Sequence, residues 1–323
     1  MRIAIFGAGA VGGFLGALLK QSGVDVTLIA RGEHLAVMQR DGVTVRSGGK
    51  IIKQHPFCTD DPLQAGVHDY VVVTLKAQAL PGAVSQIQPL LGNETAVVTA
   101  MNGLPWWYFY RHGGELQDTV LNSVDPDGTQ WRGLRPERAI GCVVYPACEV
   151  SAPGVINHLN GDRFVLGEPG GEKTDRVATL AGLFRDAGLK APVRDIRQEI
   201  WLKLWGNVAF NPLSALTGET LDVLATTPDT RELARTIMLE VEAICERLGV
   251  HLPVDVERRI DGAAGVGAHR TSMLQDLERG RSMEIDAVVA AVQELGGLLD
   301  VPTPTIDVVL TLVKHRAQAS GCY

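Results

Sequence analysis

The sequence lacks the features of a metal-binding, disulfide-stabilised or nucleic-acid-binding protein. Its five cysteines are an odd number without a C-x-x-C pair, so we expect free thiols in a reducing compartment. The eight histidines show no spacing typical of metal ligands, and no metal site is predicted. The net charge of −7 leaves no basic stripe for a phosphate backbone, so nucleic acid is not an expected partner.

A membrane-spanning segment is also missing. The stretch from residue 3 to residue 19 is apolar, but glycines interrupt it and it is too short to cross a bilayer. We therefore expect a soluble, cytoplasmic protein with no membrane partner. The 323 residues, of which 46% are hydrophobic, suffice for two domains with sizeable cores at about 150 residues per domain.

The two parts of the chain differ in their hydrophobic patterning. Residues 1–190 alternate short β-branched runs with helical stretches such as 11–22 and 173–187, which is typical of a parallel sheet wrapped by helices. The predicted strands are Arg2–Phe6, Asp25–Ile29, Tyr70–Leu75, Ala96–Ala100, Ala139–Tyr145, Gly154–Leu159 and Arg163–Gly167. The pattern predicts an α/β fold for this part of the chain.

From residue 191 to residue 323 strand-like alternation disappears and helical periods dominate, which predicts an all-α domain. The predicted helices are Asp195–Phe210, Arg231–Leu248, Asp255–Ala263, Ser272–Arg279, Met283–Leu295 and Thr305–Gln318. We expect Pro212 to end the first of them, because proline cannot donate the helical hydrogen bond.

A glycine-rich motif, G-x-G-x-x-G, follows the first predicted strand and opens the first helix. Gly7 allows a tight turn, Gly9 lets the backbone approach a pyrophosphate, and Gly12 lets helix and strand pack closely. The helix N-terminus then offers amide donors to the phosphates. The motif predicts a Rossmann-type dinucleotide-binding domain at residues 1–190. Its predicted cofactor-binding residues are Gly7, Ala8, Gly9, Ala10, Val11 and Gly12.

The end of the second strand indicates which dinucleotide binds. An NAD enzyme needs an acidic residue there for the ribose hydroxyls, whereas this chain has Ala30 followed by Arg31. A guanidinium pairs with a 2′-phosphate, so the predicted cofactor is NADP, with Arg31 among its ligands. The alternative is that Arg31 is an ordinary solvated surface residue.

Three polar residues, Lys203, Asn207 and Asn211, are spaced by four and share one face of a helix whose other face is apolar. A lysine and two amides on one stripe would present a cation and neutral donors to a small polar ligand. The alternative is a solvated helix face without a ligand. The stripe places a candidate substrate site in the helical domain, residues 191–323.

Several segments together form a specific pattern: Val73–Lys76 (VTLK), Asn102-Gly103, Glu199–Leu204 (EIWLKL), Asn207, Asn211–Ala215 (NPLSA), Ser272–Asp276 (SMLQD) and Glu284–Asp286 (EID). In these segments the sequence resembles the ketopantoate reductase family, and the resemblance extends from Met1 to about Val313. The family, 2-dehydropantoate 2-reductase, reduces ketopantoate to pantoate with NADPH on the route to coenzyme A. The resemblance therefore implies an NADP-dependent oxidoreductase of a small 2-oxo acid.

The resemblance also implies roles for individual residues. The implied catalytic residues are Lys203, as proton donor to the ketone oxygen, and Glu284, which organises the cofactor and the lysine. Asn207 and Asn211 would hold the substrate's oxygens, and Ser272 its carboxylate. The alternative for Glu284 is that it only complements a helix dipole. Ser272 is also a candidate helix cap, which is compatible with substrate binding.

Three further residues are implied at the cofactor. Lys76 and Asn102 would lie between nicotinamide and substrate, so Asn102 counts as both a cofactor-binding and a substrate-binding residue. Ala147 would contact the cofactor. The alternative for Lys76 is a solvent-facing lysine at the end of a strand.

The chain departs from the family pattern at three places. Leu221 stands where the family often has an Asn-Gly pair, and His269 stands where an asparagine is usual. Residues 104–138 look like an insertion, which opens with five aromatic residues (Trp106–Tyr110) and continues through a turn at 125–128. We expect either a hairpin packed on the Rossmann domain or an aromatic wall over a bulkier substrate.

These departures leave the substrate open. The first hypothesis is reduction of ketopantoate, and the second is NADPH-dependent reduction of another, bulkier 2-oxo acid or ketone. A third hypothesis, from a different class, is a non-catalytic NADPH-binding sensor. The predicted partners are thus a small 2-oxo acid and, through the helical domain, a second copy of the chain in a homodimer.

Overall fold

The computed structural model describes all 323 residues, which form two compact units. Unit 1 comprises Met1–Met101, Pro105–Val120 and Asp125–Ile196. Unit 2 comprises Arg197–Tyr323 together with two short segments, Asn102–Leu104 and Leu121–Val124. The main division lies at residue 196, and the two short segments are the only earlier parts of the chain in unit 2.

Unit 1 contains eleven strands and six helices. The strands are β1 (Arg2–Phe6), β2 (Asp25–Ile29), β3 (Val43–Ser47), β4 (Lys50–Gln54), β5 (Phe57–Thr59), β6 (His68–Val73), β7 (Leu91–Thr99), β8 (Ala139–Val144), β9 (Ala147–Ala152), β10 (Val155–Asn160) and β11 (Phe164–Gly167). The helices are α1 (Ala10–Gln21), α2 (Gly32–Asp41), α3 (Pro62–Ala65), α4 (Leu80–Ile87), α5 (Thr129–Leu134) and α6 (Asp175–Asp186).

Seven strands form the main sheet in the order β11-β8-β7-β6-β1-β2-β5. All neighbours are parallel except β11, which runs antiparallel to β8. The central strands are almost free of solvent exposure, as expected for a sheet covered on both faces. Phe6 pairs with Ile29 and with Val73, so β1, β2 and β6 end level at one edge. The strand order and the common carboxyl edge of these parallel strands confirm the predicted Rossmann-type α/β domain.

A second, four-stranded sheet has the order β4-β3-β10-β9. Of its strands the sequence predicts only β10. The β3–β4 hairpin turns through Gly48 and Gly49, both with positive φ, and Ile51 in β4 is exposed. Because most β4 side chains face solvent, the hairpin lacks the apolar run that revealed the strands of the main sheet.

The predicted hairpin in residues 104–138 is wrong. The segment contains turns, two 3₁₀ turns and the short helix α5, and it forms no strand. The buried carboxylate of Asp125 accepts hydrogen bonds from the backbone N–H groups of Gln130 and Trp131 at 2.7 and 2.8 Å. The Asp125 carboxylate therefore caps the N-terminus of α5, where backbone N–H groups have no acceptor within the helix.

An aromatic wall over the substrate is also wrong for the first four aromatic residues of this segment. Trp106, Trp107, Tyr108 and Phe109 are each at most 2% exposed. The Trp107 indole donates to Thr99 Oγ1 at 2.9 Å, which anchors the run against β7. These side chains contribute to the core and have no surface to offer a ligand.

Unit 2 is helical, as predicted. Its helices are α7 (Ile196–Thr217), α8 (Leu221–Thr226), α9 (Pro228–Arg247), α10 (Val256–Ala264), α11 (Ser272–Glu278), α12 (Ala291–Leu298) and α13 (Pro304–Ala319). One π-helical turn, Asp286–Ala290, leads directly into α12. None of the chain's helices combines the length and the apolar character that a bilayer crossing needs.

The helix predicted to stop at Pro212 instead continues to Thr217. Proline inside a helix costs about 3 kcal/mol through the missing hydrogen bond and the clash with the preceding turn. The next three residues, Leu213, Ser214 and Ala215, are at most 3% exposed. Burial of this turn offsets the cost of the proline, since one buried leucine alone contributes roughly 2 kcal/mol.

The buried side chain of His68 makes the stability of the fold depend on pH. Its ring nitrogens contact Gly66 O at 2.8 Å and Thr27 Oγ1 at 3.0 Å, and burial lowers its pKa. The folded state therefore favours the neutral ring, and this contribution is lost as pH falls from about 6.5 through the lower folded pKa. We expect the free energy of unfolding to fall less steeply below pH 6.5 in His68→Gln than in the wild type.

Urea unfolding at pH 7.5, 6.5 and 5.5 measures this difference. The exposed His251→Gln is the matched control and is expected to keep the wild-type slope. Parallel slopes for the wild type and His68→Gln would contradict the assignment.

Candidate active site

The glycine-rich loop lies between β1 and α1, at the carboxyl edge of the main sheet. Gly7 has a φ of +102°, which favours glycine, and its N–H donates to Ile29 O at 3.1 Å. A Cβ on Gly12 would lie 2.4 Å from Thr74 Oγ1 and 2.6 Å from Gly7 O. Only glycine at this position lets α1 pack so closely on the sheet.

The space beside Gly9 is open. A Cβ there would meet nothing nearer than Gly7 O at 4.0 Å, and no side chain caps the N-terminus of α1. Amides of the first helical turn are therefore left for an outside acceptor, and the dipole favours a negative charge. The loop fits a dinucleotide pyrophosphate, which needs close approach to the backbone and N–H donors.

One residue at this loop, His34, is not found by the sequence analysis. It lies in α2, where its Nδ1 accepts from the Gly154 N–H at 3.0 Å and its Nε2 contacts Ala8 O at 2.9 Å. Because Nδ1 accepts, the ring proton is on Nε2 and donates to Ala8 O. His34 thus fastens the glycine-rich loop to the turn before β10. No local motif marks such a residue, because its partners are 26 and 120 positions away.

The other predicted cofactor residues of unit 1 follow its strands. Arg31 directly precedes α2, is exposed and has no ion pair within the chain. Ile29 O, two residues before it, accepts from the N–H groups of Gly7 and Ala8, which places the end of β2 beside the loop. Lys76 lies three residues after β6 and is half-buried, and Ala147 begins β9.

In unit 2 a chain of hydrogen bonds connects three of the predicted site residues. Lys203 Nζ donates to Asn102 Oδ1 at 2.7 Å, and Asn102 Nδ2 donates to Glu284 Oε2 at 3.0 Å. An ammonium can only donate and a carboxylate only accept, so these contacts fix the orientation of the amide. Asn102 therefore connects the cation to the anion.

Two features hold Asn102 in this position. Gly103 has a φ of +83°, and a Cβ there would lie 2.4 Å from Ala287 O in the π-helical turn. The next residue, Leu104, donates its N–H to the same carbonyl at 2.9 Å. Glu284, 7% exposed, directly precedes the helix that begins at Ile285. Its bond to Asn102 shows that it does more than complement a helix dipole.

The polar stripe on α7 has the predicted amphipathic setting. Ile200, Leu204 and Val208 are at most 8% exposed. Asn207 is half-buried and Asn211 is 8% exposed, and neither side-chain amide makes a hydrogen bond within the chain. The one fully enclosed side-chain polar atom without a partner is Trp106 Nε1, so both amides still reach solvent. Unpaired amides on a buried face are available to an oxygen-rich ligand.

The remaining predicted substrate-binding residue, Ser272, lies three residues after the departure at His269. Ser272 is exposed in the first turn of α11, and the capping residue is Thr271, whose hydroxyl accepts from Leu274 N–H at 3.3 Å. The interpretation of Ser272 as the cap is therefore wrong. Leu221 N–H donates to His269 O at 2.9 Å, which joins the two departures through the backbone.

Models of one protein family match both parts of the chain. The family model "Ketopantoate reductase PanE/ApbA" matches residues 3–171, and the model of its C-terminal part matches residues 195–317. The chain is 56% identical over 325 residues to a 2-dehydropantoate 2-reductase of Mesorhizobium japonicum, with 100% of both chains covered.

Two solved structures are similar over nearly their whole length. A putative ketopantoate reductase from Ralstonia solanacearum superimposes with a TM-score of 0.96 at 42% identity, covering 100% of this chain and 99% of the other. A 2-dehydropantoate 2-reductase from Geobacter metallireducens gives 0.85 at 29% identity, with 98% and 99% covered.

Fold and site together define a nicotinamide-dinucleotide-dependent oxidoreductase that acts on a CH–OH group, with a Rossmann-type domain followed by a helical domain. The chain belongs to the ketopantoate reductase family.

Removal of the amide that connects Lys203 to Glu284 tests the network. We expect Asn102→Ala to lower kcat about tenfold to a hundredfold, because hydrogen bonds to two charged groups are lost. Steady-state kinetics checks this, with the exposed Asn93→Ala as the matched control. An unchanged kcat in Asn102→Ala would mean that the network has no part in turnover.

Proposed function

We propose that the protein reduces ketopantoate, 2-dehydropantoate, to pantoate with NADPH, a step of pantothenate and coenzyme A biosynthesis. The observation that carries the proposal is the contact of Lys203 with Asn102 and, through it, with Glu284. The 56% identity to a full-length 2-dehydropantoate 2-reductase supports the same substrate.

Bound NADPH supplies the hydride. The residues of the chain bind and orient the reactants and move the proton. The six residues Gly7–Gly12 bind the pyrophosphate through backbone N–H groups at the start of α1. Lys203 donates a proton to the ketone oxygen, and its positive charge stabilises the developing alkoxide.

The polar residues around Lys203 hold the substrate and the lysine in place. Asn102 and Glu284 fix the ammonium by the hydrogen bonds described above, so that it need not reorganise during the reaction. Asn207 and Asn211 donate to the substrate's oxygens, and Ser272 binds its carboxylate. Such positioning would orient the carbonyl carbon of the substrate for hydride transfer.

We propose NADPH rather than NADH because of Arg31. Its exposed guanidinium has no partner within the chain and directly follows Ala30, which stands where NAD enzymes have a carboxylate. Lys76 and Ala147 contribute further cofactor contacts in this proposal, and Asn102 serves both cofactor and substrate.

A second candidate keeps the mechanism and changes the 2-oxo acid. It is favoured by Leu221, which replaces a hydrogen-bonding pair with an apolar side chain, and by His269. A buried polar group left unpaired lowers affinity for the substrate that needs it, so such changes alter selectivity. The aromatic segment no longer supports a bulkier substrate, because its first four side chains are buried.

A non-catalytic NADPH sensor is disfavoured by the same network. A sensor has no need of a lysine connected to a carboxylate through an amide. Two predictions from the sequence, the homodimer and the cytoplasmic location, stay predictions; light scattering on the purified protein measures the first.

The first experiment follows nicotinamide oxidation at 340 nm, a wavelength at which only the reduced cofactor absorbs, with ketopantoate and either NADPH or NADH. Fast turnover with NADPH supports the proposal. NADPH binding with ketopantoate turnover no faster than that of unrelated 2-oxo acids would favour the second candidate. Binding without turnover of any 2-oxo acid would favour the sensor.

The proton donor is tested by Lys203→Ala. We expect kcat to fall by about two orders of magnitude or more, the usual contribution of a positioned acid, with NADPH affinity nearly unchanged. Fluorescence titration of NADPH separates binding from turnover. The exposed Lys173→Ala is the control, and wild-type turnover in Lys203→Ala would exclude this role.

Cofactor selectivity is tested by Arg31→Ala. We expect KM for NADPH to rise about tenfold or more while KM for NADH changes little, because a charge-assisted pair with the 2′-phosphate is lost. The exposed Arg132→Ala should leave the NADPH/NADH ratio of kcat/KM unchanged. If the NADPH/NADH ratio of kcat/KM in Arg31→Ala equalled that of the wild type, Arg31 would have no part in cofactor selectivity.

A further inference from the structure

The segment that carries Glu284 is held on both sides by residues that follow helix α13. Before Glu284, Met283 N–H donates to Cys322 O at 2.9 Å. After it, Asp286 Oδ1 accepts from the Tyr323 hydroxyl at 2.9 Å. Glu284 itself is 7% exposed, and hydrogen bonds restrain the residue before it and the residue two positions after it.

Helix α13 supplies the rigid end of this arrangement. Cys322 is fully buried, and its N–H donates to Ala317 O in the last turn of α13 at 2.8 Å. Lys314, one turn earlier, lies 3.1 Å from the same oxygen of Asp286 that Tyr323 contacts. The Lys314 ammonium is also 5.5 Å from the centre of the Tyr323 ring. One carboxylate oxygen of Asp286 thus contacts an ammonium from α13 and a hydroxyl from the residues that follow it.

We infer that Lys314, Cys322, Tyr323 and Asp286, together the α13 clamp, position Glu284 so that its carboxylate receives the Asn102 amide and thereby orients Lys203. The four residues are positioning residues for the reaction. The inference rests on the proposed function only in its kinetic consequence; the restraint on residues 283–286 is a property of the protein without substrate or cofactor.

The α13 clamp contacts residues 283–286, whose backbone conformation is not set by regular α-helical hydrogen bonds. Residues 281–284 have no regular structure, and the next turn is π-helical. A π-helical turn is an irregular, intrinsically less favourable geometry that occurs mainly where function requires it. Contacts outside the turn must then hold the preceding residue in place, and the clamp makes such contacts one residue before and two residues after Glu284.

The clamp is tested by Tyr323→Phe, which removes the hydroxyl and keeps the ring over Lys314. Tyr70→Phe is the matched control, because its hydroxyl likewise donates one hydrogen bond, to Arg176 O at 2.8 Å in unit 1. Hydrogen–deuterium exchange of the protein without ligands is expected to rise in peptides that cover residues 283–287 in Tyr323→Phe and not in Tyr70→Phe. Unchanged exchange in Tyr323→Phe would overturn the clamp.

The kinetic arm is a double-mutant cycle with Glu284→Gln. We expect Tyr323→Phe to lower kcat about fivefold in the wild-type background, with KM for NADPH changed less than twofold, and to have less than a twofold effect on kcat in the Glu284→Gln background. If Tyr323→Phe lowered kcat by the same factor in both backgrounds, Tyr323 would act independently of Glu284, and the inference would be overturned.

The two arms separate this inference from the proposed function. If the wild type does not reduce ketopantoate, the cycle is measured with the 2-oxo acid that it does reduce, and the exchange arm needs no substrate at all. Asp286→Asn provides a second variant for both arms. It should have at least the effect of Tyr323→Phe, because it also loses the ion pair with Lys314. Tyr323→Phe added to Asp286→Asn should lower kcat no further, and a further loss would contradict action through one carboxylate.

Discussion

The contact between Asn102 and Glu284 is the constraint on which the arrangement of the helical unit depends. A carboxylate that is 7% exposed requires a donor, since an unpaired buried charge is strongly destabilising. Asn102 provides that donor and in turn accepts from Lys203. The segment that contains Asn102, Asn102–Leu104, accordingly belongs to unit 2, although the residues before and after it belong to unit 1.

The backbone around Asn102 is adapted to the same contact. Gly103 has a left-handed conformation against the Ala287 carbonyl, where any Cβ would collide with backbone atoms. The Asn102-Gly103 pair therefore meets two separate requirements, one for an amide and one for the absence of a side chain. The first serves the lysine and the carboxylate, and the second lets the segment approach the π-helical turn.

Much of the fold could be predicted because burial leaves a strong local pattern. The run Tyr70–Val73 is enclosed on both faces of the main sheet, and such a strand can contain little besides apolar residues. Gly7 and Gly12 likewise belong to a motif confined to one strand, turn and helix, so the sequence shows it although their contacts include Ile29 and Thr74. The same holds for Lys203, Asn207 and Asn211, whose common helix face follows from their spacing alone.

The failures share a different origin, which is that the deciding partner is distant in sequence or that burial outweighs a local rule. Pro212 stands inside α7 because the residues after it are buried, and no local rule reveals that burial. Asp125 has turn-forming neighbours, yet its carboxylate caps α5. His34 and Glu284 are placed by partners more than a hundred positions away. Sequence reasoning found Glu284 only through family resemblance, and it missed His34 because no motif covers it.

The two departures at Leu221 and His269 show how such an enzyme could change its substrate without changing its fold. Their contact is between a backbone N–H and a backbone carbonyl, so neither side chain is needed to satisfy it. Both positions can therefore vary while α8 keeps its place. In the proposed reaction, the reacting end of any 2-oxo acid would meet the same lysine and amides on α7, whereas the rest of the molecule would distinguish one acid from another. Chemistry and selectivity would then belong to different elements of the helical unit, and only the first would be constrained by the network around Asn102.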